Sequence, residues 1–74
     1  MELKQGNPSD SDKWEELYWL YEAGVRDSLA IRKLRDDGQW YVTVGYIENA
    51  TVLHGPYPSK EAVEMLLMMG ALEF

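Results

Sequence analysis

The stretch LAIRKLRDDGQWYVTV, residues 29–44, decides the fold that the sequence predicts. Apolar and polar residues alternate on both sides of Asp36-Asp37-Gly38, and a period of two is typical of a strand that is buried on one face. The Asp-Gly pair tolerates the positive φ angles of a tight hairpin turn. We therefore predict two antiparallel strands, from Ser28 to Arg35 and from Gln39 to Tyr46, joined at this turn.

A third strand and a first helix extend this hairpin. A second turn around Glu48-Asn49 leads to a strand from Ala50 to His54, so residues 28–54 are predicted as a three-stranded antiparallel meander. Before the sheet, a helix is predicted from Ser11 to Ala23. Its evidence is a set of large residues at i, i+3, i+4 and i+7, which lie on one stripe of a helix: Trp14, Leu17, Tyr18 and Tyr21.

A second helix is predicted after Gly55-Pro56-Tyr57-Pro58, because neither proline has the backbone N–H that a strand ladder needs. Ser59 is a suitable N-cap, and the apolar run that follows ends near Gly70. The predicted core stripe of this helix consists of Ala62, Met65, Leu66 and Met69. The resulting order is α-β-β-β-α, an α+β fold with two helices packed on one face of the sheet.

The length of the chain allows one domain. Its 74 residues are predicted to divide into a flexible N-terminal arm, residues 1–8, and a single small α+β domain, residues 9–74. Thirteen acidic and seven basic residues give a net charge of -6, which argues against the basic surface of most nucleic-acid binders. The apolar run Met65–Met69 is too short to cross a membrane, and the chain begins with polar residues, so we expect a cytoplasmic protein without membrane contact.

The sequence offers little for catalysis or for cofactor binding. It contains no cysteine and a single histidine, His54, so neither a metal-ligating pattern nor a nucleophile with its base is present. Glycine-rich phosphate-binding motifs are absent as well. We therefore expect no enzyme activity, no catalytic residue, no cofactor and no metal, and we interpret His54 as structural.

The predicted first helix carries carboxylates that indicate a surface for a partner. On helical spacing, Glu15 and Glu22 lie beside the face opposite the apolar stripe, and Trp19 points toward that face. An indole can fill a pocket in a basic protein while the surrounding charges steer the encounter. The predicted partner-binding residues are Asp12, Glu15, Glu16, Trp19 and Glu22. The alternative is that the N-terminal arm, for example Leu3, covers Trp19.

The predicted second helix has more apolar residues than one sheet face can bury, since they continue around the whole helix. Leu67, Met68 and Phe74 are therefore candidates for a homodimer contact or for a partner's groove. Methionines suit such a contact because they adapt to different surfaces. The alternative is a core that also buries Phe74.

Basic residues concentrate on or near the first predicted strand: Arg26, Arg32, Lys33 and Arg35. Through the hairpin register, Arg32 is predicted on the same sheet face as Tyr41, Thr43 and His54. Aromatic rings that stack on bases, beside an arginine that meets phosphate, would form a platform for single-stranded nucleic acid. A solvated sheet face explains the same residues, and we prefer it, so direct nucleic-acid binding is not expected.

Together these features favour a small acidic module that binds a protein by occupying a surface. A carboxylate-rich surface can imitate the charge spacing of nucleic acid, so the sharpest hypothesis is a phage-type inhibitor of a nucleic-acid-handling host complex, of the anti-CRISPR or anti-restriction kind. The alternatives are a nucleic-acid-binding domain that uses the face of Arg32, Tyr41 and His54, and an accessory subunit of a larger assembly. The expected partner is a protein with a basic surface.

Overall fold

The structure is a computed structural model that describes residues 2–8, 13–21, 29–45 and 50–72. These residues form five strands and one helix: β1 (Glu2–Gln5), β2 (Trp14–Tyr21), β3 (Leu29–Leu34), β4 (Trp40–Val44), β5 (Thr51–Tyr57) and α1 (Lys60–Met68). Each strand pairs antiparallel with the next, so the sheet has the order β1-β2-β3-β4-β5. The predicted fold class, a three-stranded sheet with two helices on one face, is therefore wrong.

Strand β2 runs through the segment that the sequence predicts as a helix from Ser11 to Ala23. Its sequence, WEELYWLY, contains two tryptophans and two tyrosines, residue types that favour strands. It also pairs with a strand on each side, β1 and β3. Pairing on both sides outweighs the helix preference of its glutamates and leucines, which is less than about 1 kcal/mol per residue.

A β-bulge in β2 explains why this strand has the spacing of a helix. Trp14 and Glu16, two positions apart, pair with consecutive residues of β3, which leaves Glu15 as an additional residue. The bulge brings Trp14 and Leu17 to the same face of the sheet although they are three positions apart. That spacing is also the one at which residues meet on one side of a helix.

Strand β1 is an edge strand, where the sequence predicts a flexible arm over residues 1–8. It pairs with β2 along its length, with Leu3 opposite Leu20. Beyond the strand, the N–H of Gly6 donates to the carbonyl oxygen of Leu17 at 2.9 Å. These residues belong to the sheet, so the arm prediction does not hold for them.

The hairpin between β3 and β4 is present as predicted. Asp36-Asp37-Gly38 forms the turn, and Gly38 has a φ of 68°. The N–H of Leu34 donates to the carbonyl oxygen of Gln39 at 2.9 Å, which closes the end of the hairpin. The local turn chemistry therefore determines the register of β3 and β4.

Strand β5 continues through Gly55-Pro56 to Tyr57, whereas the sequence predicts that the strand ends at His54. It is an edge strand, and its pairing with β4 is irregular. Such a strand accepts a proline, because the missing N–H is not needed there for a ladder. Gly55 has a φ of 138° and packs closely on the ring of Tyr41, where an added Cβ would lie 2.5 Å from Cδ1.

Helix α1 begins after the predicted N-cap, Ser59, whose Oγ accepts a hydrogen bond from a backbone N–H three residues later at 3.1 Å. The buried face of the helix differs from the predicted stripe of Ala62, Met65, Leu66 and Met69. Val63 is buried and Leu67 packs against the core, whereas Met65 and Met69 are exposed. The apolar residues of a helix do not by themselves identify its buried stripe when they occur on every side of that helix.

The hydrophobic core lies between α1 and one face of the sheet, which we call the helix-covered face. Its buried members come from β2, β3, β4 and α1: Leu20, Leu29, Ile31, Trp40, Val42 and Val63. Because side chains alternate along a strand, their neighbours lie on the opposite face, which we call the second face. In the described part of the chain, no helix packs on this second face.

Candidate functional site

The second face of the sheet is buried although no described helix covers it. Its buried members are Trp14, Leu17, Ala30, Arg32 and Thr43. Trp19 and Tyr41 are half-buried on the same face. At its centre, on the middle strand β3, lies Arg32, the only charged residue that is fully buried within the described ranges.

Neutral oxygen atoms hold the guanidinium of Arg32. Its Nε donates to Thr43 Oγ1 at 2.8 Å, and its Nη2 donates to the carbonyl oxygen of Gly45 at 2.9 Å. The hydroxyl of Thr43 in turn donates to the carbonyl oxygen of Ala30 at 3.4 Å. Nη1 is buried and has no hydrogen-bond partner among the residues that the structure describes. One terminal nitrogen of a buried cation is thus left without an acceptor.

Two indole rings lie against the same guanidinium. Arg32 Cζ is 5.6 Å from the ring centroid of Trp19 and 5.9 Å from that of Trp14, distances at which a cation is attracted to a ring face. Trp14 also meets Tyr41 edge to face, with ring centroids 6.2 Å apart. Gly6 lies so close to Trp19 that an added Cβ would be 2.6 Å from the indole Nε1. These contacts determine the position of the Trp19 ring.

The charge of Arg32 has no counter-ion among the residues that the structure describes. Burial lowers the pKa of the Arg32 guanidinium because the charged form is desolvated. Arginine nevertheless stays protonated in proteins. We define the arginine site as Trp14, Trp19, Arg32, Thr43 and Gly45. It holds a buried positive charge whose partners among the described residues are neutral groups.

The described members of the acidic cluster predicted for the first helix do not form a helical face. Glu15 and Glu16 flank the bulge of β2, and Lys33 Nζ lies 3.4 Å from Glu15 Oε2 and 3.8 Å from Glu16 Oε2. Trp19 lies in the arginine site instead of among carboxylates. Two further members of the predicted cluster lie outside the described residues: Asp12 and Glu22. With β2 a strand, the described residues form no helical acidic face around Trp19.

Arg32, Tyr41 and His54 do not form an exposed basic and aromatic surface. Arg32 and Tyr41 are opposite each other across β3 and β4, as predicted, but Arg32 is 0% exposed. The hydroxyl of Tyr41 donates to Asp37 Oδ2 at 2.5 Å, and this hydrogen bond lowers the pKa of Asp37 and raises that of Tyr41. His54 is half-buried opposite Val42. Arg32 is therefore not an exposed residue of a nucleic-acid platform on this face.

Helix α1 exposes three large apolar side chains. Met65, Met68 and Met69 are 63%, 78% and 71% exposed. Positions i, i+3 and i+4 lie on one side of a helix, so the three side chains form one surface, which we call the methionine face. The sequence predicts Met68 as a contact residue but assigns Met65 and Met69 to the core. The other two residues of the predicted patch are not part of the methionine face. Leu67 packs against the core, and Phe74 lies outside the described residues.

Charged residues border the methionine face. Lys60 Nζ lies 3.0 Å from Glu64 Oε1, and this contact raises the pKa of Lys60. The same ammonium group lies 4.5 Å from the ring centroid of Tyr18, so its charge is directed toward the sheet. Glu61 is exposed, lies one turn before Met65 and forms no ion pair with the described residues. Glu61 therefore gives the border of the methionine face an exposed negative charge.

Two other kinds of feature are absent from the described ranges. They contain no group of three or more histidine, aspartate or glutamate side chains placed to hold a metal ion. Their one helix lacks the length and apolarity that crossing a membrane requires. Comparisons of the chain with models of known protein families, with curated protein sequences and with solved structures found no match. A proposal about function therefore depends on the methionine face and the arginine site themselves.

Proposed function

We propose that this protein is a small acidic module that binds another protein through the methionine face of α1, without chemistry of its own. The exposure of Met65, Met68 and Met69 supports the proposal, because contiguous exposed apolar side chains mark interaction surfaces. Thioether side chains are flexible and polarizable, so they fit apolar surfaces of different shapes. The proposal includes a cytoplasmic location, which is consistent with a chain that contains no cysteine.

The charge of the protein indicates the chemistry of the partner. The net charge is -6, and Glu61 adds an exposed carboxylate at the border of the methionine face. The lysine in this region, Lys60, is already paired with Glu64. A basic partner is thus attracted while an acidic one is repelled. An amphipathic helix with an apolar side and a lysine-rich border fits these requirements, since helices recognise each other through anchors spaced by one turn.

Nucleic-acid mimicry is not part of the proposal. That hypothesis depends on a helical face of carboxylates, and the described part of the segment is strand β2. Glu15 and Glu16 both approach Lys33, so their charges are partly compensated within the sheet. The inhibitor hypothesis of the anti-CRISPR or anti-restriction kind also rests on small size and negative net charge, so it stays a prediction without the predicted acidic helix.

Two designed peptides test the proposal directly. Both have leucines on one helical side, and their polar sides carry lysines in one peptide and glutamates in the other. We expect the lysine peptide to bind and the glutamate peptide not to bind, as measured by isothermal titration calorimetry. Replacing Met65, Met68 and Met69 together by Gln should weaken binding by about tenfold or more, which corresponds to a loss of about 1.4 kcal/mol.

Val52→Thr is the matched control, because Val52 is an exposed apolar residue, at 45%, that lies on β5 and not on α1. This variant should bind the lysine peptide like the parent. Equal binding of both peptides, or binding that the three glutamines leave unchanged, would contradict the proposal.

Light scattering of the protein alone tests the homodimer predicted as an alternative. A mass of twice 8.6 kDa that the glutamines reduce to 8.6 kDa would assign the methionine face to a second copy.

A further inference from the structure

We propose that the arginine site binds an oxyanion, a carboxylate or a phosphate group, through donors of Arg32 that no described residue uses. The site lies on the second face of the sheet, whereas α1 and its methionine face lie on the other side. The proposal therefore goes beyond the protein-binding function and does not depend on it.

The first argument is the number of donors. A guanidinium carries five N–H donors in one plane. The hydrogen bonds to Thr43 Oγ1 and to the carbonyl oxygen of Gly45 use one donor of Nε and one of Nη2. Both donors of Nη1 and the second donor of Nη2 remain. Adjacent donors of the two terminal nitrogens match two oxygens of a carboxylate or a phosphate, which is the strong bidentate arrangement.

The second argument is the burial of the charge. Arg32 is 0% exposed, so bulk water does not solvate its charge or its Nη1 donors. A neutral hydroxyl, a carbonyl and two ring faces stabilise a cation less than a carboxylate does. A methionine or leucine would fill the same position without this cost. An arginine at the centre of the sheet is explained if an anion completes its coordination.

The position of Trp19 determines how an anion reaches the site. Its indole lies over the guanidinium and is half-buried, so it separates Arg32 from solvent. Its Nε1 edge rests on Gly6, next to the short edge strand β1. We expect an anion that reaches Arg32 from the solvent side to displace this ring. Movement of Trp19 therefore reports binding.

Titration of the full chain with simple anions tests the inference. Sodium phosphate and sodium acetate are compared with sodium chloride at constant ionic strength, while NMR follows the indole N–H signals and the Arg32 guanidinium signals. We expect the signals of Trp19 and Arg32 to shift and saturate with one common dissociation constant. Trp40 lies on the helix-covered face and is the internal control, so its indole signal should stay in place. Saturation with phosphate alone identifies a phosphate site, and saturation with acetate identifies a carboxylate site.

Unfolding measurements give a second readout. At an anion concentration ten times its dissociation constant, the unfolding equilibrium constant should fall about 11-fold. Arg32→Met should abolish this response, and Arg35→Gln, which removes a charge from an exposed position, should preserve it. If Arg32→Met does not fold, the guanidinium signals of the parent protein still decide the question. The inference is wrong if chloride gives the same shifts as phosphate and acetate, or if none of the three anions moves the Arg32 signals.

Discussion

The two faces of the sheet are buried by different means, although the same strands supply both. On the helix-covered face, Ile31 and Val42 pack against apolar residues and α1. On the second face, their neighbours Arg32 and Thr43 are equally buried but joined by a hydrogen bond beneath aromatic rings. Apolar packing is weakened according to the volume that a substitution removes, whereas a hydrogen bond between buried polar groups is lost when either partner is removed. On the helix-covered face, the free energy of unfolding should therefore fall when a substitution removes side-chain volume. On the second face, it should fall when a substitution removes a hydrogen-bond partner.

The largest effect is expected on the helix-covered face. Ile31→Ala removes a fully buried side chain and leaves a cavity under α1, so the free energy of unfolding should fall by about 2 to 5 kcal/mol. Urea denaturation measures the change. Val52→Ala, at an exposed position, is the control and should change the free energy by less than about 0.5 kcal/mol. Equal losses for the two variants would show that the helix-covered face is not the main core.

The next largest loss of stability is expected where Gly6 packs closely at the edge of the second face. Gly6→Ala places a Cβ 2.6 Å from Trp19 Nε1 and 2.9 Å from Leu17 Cδ2, so a ring has to move. We expect a loss of about 1 to 3 kcal/mol in the free energy of unfolding. In a Trp19→Phe background the smaller ring should relieve much of this loss. A full loss in that background would place the clash elsewhere.

Thr43→Val tests the dependence on partners with almost no change in volume. The variant removes the acceptor of Arg32 Nε and leaves that buried donor unpaired, which should cost about 1 to 3 kcal/mol. In the presence of Arg32→Met the same change should cost little, because no donor is left unsatisfied. A double-mutant cycle of unfolding free energies measures the coupling. Additive effects would contradict the contrast between the two faces.

The smallest effect concerns the turn beside the second face. Tyr41→Phe removes the hydrogen bond that lowers the pKa of Asp37, so this pKa should rise toward its usual value. The backbone N–H of Gln39, 2.8 Å from Asp37 Oδ1, should retain part of the lowering. A carboxyl group with a lowered pKa stabilises the fold above its unfolded pKa and loses this contribution as the pH falls through its folded pKa. NMR titration of Asp37 gives the pKa, and acid unfolding of the variant should depend less on pH.

Local signals made parts of the fold predictable. The turn at Asp36-Asp37-Gly38 and the N-cap at Ser59 both lie where the sequence places them, because each depends on a few adjacent residues. β1 and β2 were not predictable in this way. A bulge gives β2 the spacing of a helix, and β1 is a strand only because β2 lies beside it.

In the candidate sites too, features that depend on adjacent residues are predictable from the sequence, whereas features that depend on packing are not. The hairpin register correctly predicts that Arg32 and Tyr41 share a face. The burial of Arg32 was not predictable, because the rings that lie against it belong to β2, which was interpreted as a helix. On α1, the sequence indicates excess apolar surface, but only the packing of Val63 on the sheet shows that Met65 and Met69 remain outside.

The irregular strand β5 has a consequence for fibre growth. A sheet extends from molecule to molecule without limit only when each protein molecule has two edge strands that can pair with another strand. Pro56 has no N–H to donate, and the irregular pairing of β5 makes it a poor template for a further strand. β1 is the other edge of the described sheet, and pairing of β1 with β1 forms a closed twofold arrangement. Strand addition by this route therefore ends with two copies and does not propagate into a fibre.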